Sequence, residues 1–98
     1  MTLQKDPEGF ERKIIHKYAD FANKRVLEIG CGEGRLTWKY AASTKQVAGI
    51  DLEANDLRAA CIDRPSDLEN KVSFTQASAH NIPFHHETFD IAILAWSL

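Results

Sequence analysis

Cysteine, proline and methionine are scarce in this sequence, and long apolar runs are missing. Only Cys31 and Cys61 occur among 98 residues, and no metal-binding or redox spacing relates them. There is thus no disulfide framework and no cysteine zinc motif, and a reducing, cytoplasmic setting is the expectation. No segment approaches the roughly 20 apolar residues of a membrane helix. The polar stretch from Met1 to Gly9 carries no signal-peptide pattern. An excess of positive charge is also lacking: 12 Lys and Arg stand against 14 Asp and Glu, for a net charge of −2. That balance argues against a nucleic-acid or anionic-membrane partner. The densest basic group, Arg12-Lys13 with Lys17, reads as the solvated face of a helix.

What remains is ordinary globular composition, 44% hydrophobic and 27% charged. The length, 1–98, fits one domain at most, with a modest core. Glycine is concentrated: three of the five are Gly30, Gly32 and Gly34. They follow the apolar run Val26-Leu27-Glu28-Ile29 and precede the helix-compatible Arg35-Leu36. This is the layout of a strand, a tight turn and a helix N-terminus, where backbone N–H groups can approach a ligand.

In chain order, Met1–Lys5 reads as a loose tail. Asp6-Pro7-Glu8 reads as a helix start, with Asp as N-cap and Pro at the first helical position. Phe10, Ile14, Tyr18 and Phe21, widened by Ile15 and Ala22, give that helix a buried face ending near Asn23; His16 lies on it as a structural or surface residue. Arg25–Ile29 is a strand with Leu27 and Ile29 on one face, Val26 and Glu28 on the other. Arg35–Ala42 reads as a helix with Leu36 and Tyr40 facing the core. Gln46–Ile50 is a strand ending in Asp51. Asn55–Asp63 is a helix with Leu57, Ala60 and Cys61 inward, stopped by Arg64-Pro65-Ser66. Val72–Ala77 is a strand, Ser78–Thr88 a loop, and Phe89–Ser97 a strand apolar on both faces, as inside a covered parallel sheet. The alternation predicts a doubly wound α/β fold.

In such a sheet, ligands bind outside the C-terminal strand ends. Asp51 ends the strand after the glycine turn, where a carboxylate can accept two hydrogen bonds from a ribose diol. The less favoured reading is an N-cap for the following helix. Glu28 is costly at a buried strand end unless paired; its partner is either nearby backbone or a donor on a ligand. A dinucleotide fingerprint is Gly-x-Gly-x-x-Gly, but here the third glycine comes one residue early. Glu28 and Glu33 would oppose a pyrophosphate. They suit a ligand carrying an ammonium and a sulfonium, which is the character of S-adenosylmethionine.

Val26-Leu27-Glu28-Ile29-Gly30-Cys31-Gly32-Glu33-Gly34 resembles the first motif of class I S-adenosylmethionine-dependent methyltransferases. Gly49-Ile50-Asp51 is similar to their second-strand end. Ala79-His80-Asn81-Ile82-Pro83-Phe84 with Thr88-Phe89-Asp90 is similar to the loop and fourth-strand start of the small-molecule branch. The resemblance runs from Arg25 to Leu98. It implies an enzyme transferring a methyl group from S-adenosyl-L-methionine to a small-molecule acceptor. It further implies that Gly30, Cys31, Gly32 and Gly34 underlie the methionine part and that Glu28 organises the site around its amino group. Asp51 would hold the ribose, Leu52 would pack on the adenine, Ser78 and Ala79 would line the adenine edge, and Ala95 would lie near the methionine. The family commonly has Asp where this chain has Ser78, which weakens adenine recognition.

Methyl transfer is in-line displacement, much of it achieved by positioning. A base is needed only for an acceptor that holds a proton, and no catalytic residue stands out. His80, His85 and His86 read as polar loop residues, with no metal-ligand spacing. Cys31 reads as a small turn residue and Trp96 as packing.

The family sheet has seven strands in the order 3-2-1-4-5-7-6. This chain supplies a Rossmann-like 3-2-1-4 sheet with helices mainly on one face, truncated relative to the full fold. Crossover handedness and the helix-free Ser78–Thr88 connection leave one face nearly bare and strand four an open edge. The expectation is a half-domain that meets its C-terminal half, or a second copy, through that face and the last strand. A non-catalytic cofactor-binding or interaction module is the alternative reading. A nicotinamide-dependent oxidoreductase is disfavoured by the early third glycine.

Overall fold

The strand-turn-helix alternation produces a parallel sheet. The computed structural model describes residues 2–6, 20–85 and 88–95. Five strands, β1 (Thr2–Asp6), β2 (Arg25–Ile29), β3 (Gln46–Asp51), β4 (Val72–Gln76) and β5 (Ile91–Ala95), lie in the order β1-β5-β2-β3-β4, all parallel. The last four, read from β4, reproduce the expected 3-2-1-4 order. Val26 stands level with Val47 on one side and Ile91 on the other, and Val47 with Val72. Residues of one face therefore form a continuous apolar row, which is the arrangement a pleat of period two demands.

Two helices are described, α1 (Thr37–Tyr40) and α2 (Ala54–Asp63). Expected as Arg35–Ala42, α1 is only one turn long. Residues 32–36 remain turn, and Ala41–Ser43 tighten into a 3₁₀ turn. Left-handed Gly34, at φ +88°, delays the helix start. α2 matches its expected span within one residue and packs on β4 and β3 through buried Leu57 and Ala60, but Cys61 is exposed rather than inward. A 3₁₀ turn, Ser66–Leu68, buries Leu68.

Side chains divide between the faces as the alternation predicts. Val26, Val47, Val72, Ile91 and Ile93 join Leu36, Tyr40 and Phe21 in one cluster beneath α1. Leu27, Ala48, Ile50 and Ala92 form a second cluster on the opposite face.

Three expectations need correction. The Met1–Lys5 tail instead supplies β1, with Asp6 as its last residue; Thr2 pairs with Ile91 and Asp6 with Ala95. The β5 edge is consequently occupied. Unpaired N–H and C=O groups along a strand apolar on both faces favour a neighbour, and that non-local gain overrides the weak local preference of Thr-Leu-Gln-Lys-Asp. Nor is the second face bare. The connection from Ser78 to Asp90 lays Ile82, Phe84 and Phe89 over it, with Phe84 and Phe89 edge to face at 5.3 Å. Burying Phe89 contributes about 1.5–3 kcal/mol, and the aromatic pair adds about 0.5–1.5. The helical stripe Phe10-Ile14-Ile15-Tyr18, with Arg12, Lys13, His16 and Lys17, lies outside the described residues, as do His86 and Trp96. Phe21 and Ala22 are described: Phe21 is buried and stacked on Tyr40 at 4.9 Å, and Ala22 opens a turn.

Candidate functional site

β2 ends where its sequence turns to glycine. Gly30, Gly32 and Gly34 all take positive φ, +77°, +56° and +88°, a region that costs other residues about 1–2 kcal/mol. Space matters at two of them. A Cβ on Gly30 would stand 2.8 Å from the carbonyl oxygen of Ala95, and one on Gly34 would stand 2.5 Å from the Trp38 ring. The turn thus crosses closely over the end of β5 and rests on α1. Gly30 and Ala95, both implicated by sequence, are brought together.

The amides of this turn are engaged within the protein. Gly30 and Cys31 N–H groups donate to the Ile50 carbonyl at 2.8 and 3.1 Å, and Gly34 N–H donates to Cys31 O at 3.0 Å. Gly32 N–H donates to Asp51 Oδ2 at 2.8 Å. A pyrophosphate cradle needs such donors aimed at the anion; here these four point into the fold. α1, one turn long, offers no anion site of its own.

Asp51, at the end of β3, joins the turn after β2 to the start of α2. Besides Gly32 N–H, its Oδ1 accepts Glu53 N–H at 2.9 Å, two residues on. Glu53 is the residue capping α2, and no side chain caps that helix directly. Asp51 therefore orders the entry to α2 and fixes the turn of β2 at once. Each carboxylate oxygen retains a lone pair, since each can accept about two hydrogen bonds. Beyond it Leu52 is 66% exposed, an apolar side chain open to solvent at the strand end. Its carbonyl accepts Gln76 Nε2 at 3.0 Å, and Ala77 N–H donates to Asp51 O at 3.1 Å. Those bonds bring the β4 end, and with it Ser78 and Ala79, beside Asp51 and Leu52. The Ser78 hydroxyl oxygen accepts His80 N–H at 3.0 Å, so part of its acceptor capacity is already in use. Ala79 is exposed.

Glu28 behaves differently. It is fully buried, and its Oε1 accepts Thr37 Oγ1–H at 2.8 Å and Tyr40 O–H at 2.5 Å. Two of its partners in the fold are thus side-chain hydroxyls, a kind of donor the expectation of backbone or ligand partners did not include. Thr37 was not singled out by sequence, and Tyr40 only as an apolar core residue. One signal was present: the two are three residues apart on a helix, so their side chains share a face.

Cys31 is buried, and its Sγ would lie 2.9 Å from a Cβ placed on Gly49. Burial, followed by the charges of Glu28 and Asp51, pushes its thiol well above the ordinary range. It is a packing residue, inert as a nucleophile. His80 and His85 are exposed, and no cluster of His, Cys, Asp or Glu among the described residues could hold a metal ion.

Residues 26–98 match the family model described as "Methyltransferase domain". A ubiquinone biosynthesis O-methyltransferase of Aromatoleum aromaticum is 40% identical over 78 residues, covering 79% of this chain and 33% of that protein. A demethylmenaquinone methyltransferase of Porphyromonas gingivalis is 30% identical over 93 residues, covering 91% of this chain and 38% of that protein. The crystal structure of a SAM-dependent methyltransferase from Methanosarcina mazei is similar with a TM-score of 0.68 and 31% identity, over 83% of this chain and 40% of that one. The chain spans about a third of the length of the curated relatives it matches. The resemblance read from the glycine turn and the Asp51 strand end is borne out: the chain belongs to the methyltransferase domain family.

Proposed function

We propose that this chain forms the cofactor half of a methyltransferase that uses S-adenosyl-L-methionine and methylates a small-molecule acceptor. The observation that carries the reading is the pairing of Gly32 N–H with Asp51 Oδ2. It withdraws a turn amide from anion binding and fixes a carboxylate at the cleft mouth. The residues present fit the cofactor by chemistry. Asp51 has acceptor capacity for a ribose diol, exposed Leu52 offers an apolar platform for adenine, and Ser78 and Ala79 lie at its edge. Gly30, Cys31, Gly32, Gly34 and Ala95 form a floor free of bulky side chains for the methionine part. Glu28 acts from beneath the turn. When bound, the cofactor supplies a methyl group activated by a sulfonium. The task of the chain's own residues is then to hold and orient it. No base is assigned among the described residues, consistent with an acceptor that reacts without losing a proton first or with a base supplied elsewhere in a longer protein.

That the relatives are about three times as long supports an acceptor pocket supplied by a companion half or a second copy. Such a partner meets the sheet at the outer edge of β1 or by displacing β1 from β5. The test is titration of the full chain with S-adenosylhomocysteine and, separately, with a nicotinamide dinucleotide, followed by residue-resolved NMR. Saturable shifts at Gly32, Asp51, Leu52 and Ala79 with the first ligand alone are expected. Shifts with the dinucleotide alone would overturn the reading. Binding without methyl transfer to a metabolite pool by the whole protein would favour a non-catalytic module.

A further inference from the structure

We propose that Thr37 and Tyr40 are positioning residues of the cofactor site, acting on the glycine turn through Glu28. The inference rests on the cofactor reading above and deepens it. Thr37 and Tyr40 are buried, at 0% and 1% exposure, so neither can touch a ligand in the cleft. Both hydroxyls converge on one oxygen of Glu28, itself fully buried. Glu28 lies on the strand two residues before Gly30, and Thr37 opens α1 just after the turn. The carboxylate therefore closes the turn at its two ends, strand to helix.

The closure matters because α1, though its apolar side chains are packed, has little helical hydrogen bonding of its own. It is one turn long, and Leu36 at its N-cap makes no side-chain cap bond; a single helical turn is unstable by itself. Between the clamped ends lie all three left-handed glycines, the residues with the most backbone freedom to lose. The turn is further fixed from the β3 side by Gly30, Cys31 and Gly32 amides. The hydroxyl pair supplies the matching restraint from the α1 side. Loosening it frees Gly34, whose neighbour Trp38 is carried on the same helix, and leaves Gly32 less firmly presented to Asp51.

Single-atom changes separate this role from packing. Tyr40→Phe keeps the stack on Phe21 and removes one donor; Thr37→Val keeps the shape and removes the other; Thr37→Ser restores the hydroxyl. Each variant of the full chain is titrated calorimetrically with S-adenosylhomocysteine at a temperature where circular dichroism shows it fully folded. The amide signals of Gly32 and Gly34 are recorded without ligand. The loss of one hydroxyl is expected to weaken binding about three- to ten-fold and to shift both glycine signals, with Thr37→Ser close to wild type on both readouts. Lowered thermal midpoints with unchanged affinity and unchanged glycine signals would show a purely structural role and overturn the proposal. Should Thr37→Val fail to fold, Tyr40→Phe decides alone. A wild-type chain that does not bind S-adenosylhomocysteine would instead overturn the cofactor reading itself, and this inference with it.

Discussion

The two ends of the sheet use aspartate in the same way and to different effect. At the N-terminal end, Asp90 accepts Arg25 N–H at 2.9 Å through Oδ2, while Asp90 N–H donates to Arg25 O at 2.9 Å. The Arg25 guanidinium stands 3.5 Å from the same oxygen. At the C-terminal end, the Asp51 carboxylate holds two backbone amides, of Gly32 and Glu53, where that of Asp90 holds one. The difference is the cation. Lys24, Arg25, Lys45 and Lys71 cluster where strands begin, whereas Glu28, Glu33, Asp51 and Glu53 cluster where β2 and β3 end. Asp90 is neutralised within the fold, and among the described residues Asp51 has no ion-pair partner. An aspartate with its charge balanced staples a sheet; one without leaves a negative field, which favours a cationic ligand.

The largest effect is expected where the C-terminal end is most crowded. Gly30→Ala adds a left-handed backbone penalty and a collision with the Ala95 carbonyl, which cannot swing away. It should destabilise the chain by about 2–4 kcal/mol, against about 1 kcal/mol for Gly32→Ala, which has open space around it. Urea unfolding of both variants checks the contrast. Equal losses would mean that the turn does not rest on β5.

Next comes Asp51→Ala, expected to weaken S-adenosylhomocysteine binding by about 1.5–3 kcal/mol, the range for a charged hydrogen bond. Asp90→Ala should leave that affinity unchanged. Calorimetry on both variants breaks the comparison if they respond alike.

A smaller effect concerns pH. The Arg25 N–H, then its guanidinium, hold Asp90 below its ordinary 3.8. A depressed carboxyl stabilises the fold above its unfolded value and loses that contribution as pH falls through the folded one. The thermal midpoint of wild type should therefore exceed that of Asp90→Asn at neutral pH, and the gap should close below about pH 3.8. A gap that widens with acid would reverse the assignment.

The mildest consequence is chemical. At pH 8 a thiol reagent should modify exposed Cys61 and spare Cys31 in the folded chain. Mass spectrometry after proteolysis reads the two sites separately.

Much of this was legible in the residues. Alternation in Arg25–Ile29, Gln46–Asp51 and Val72–Gln76 located the strands, because a pleat writes its period into sequence. The glycine spacing and Asp51 located the turn and the strand end beside it, because left-handed turns and strand-end acids have few substitutes. What was hidden depended on distant partners. Thr2–Asp6 is polar and aperiodic, and only the β5 edge makes it a strand. Ile82, Phe84 and Phe89 follow no period, so a loop that covers a sheet face reads like one that does not. The Glu28 partners were obscured because a buried hydroxyl and a packing residue look the same until the acid opposite is known.

The β1–β5 pairing also sets an order of events. Thr2 is level with Ile91, 89 residues further along the sequence. During synthesis β2, β3 and β4 can pair with near neighbours as they emerge, but the seat of β1 does not exist until β5 has been made. Contacts of such long sequence separation are slow to form. β1 is thus the last of the five strands to dock, and its arrival reports that β5, between it and β2, is in place.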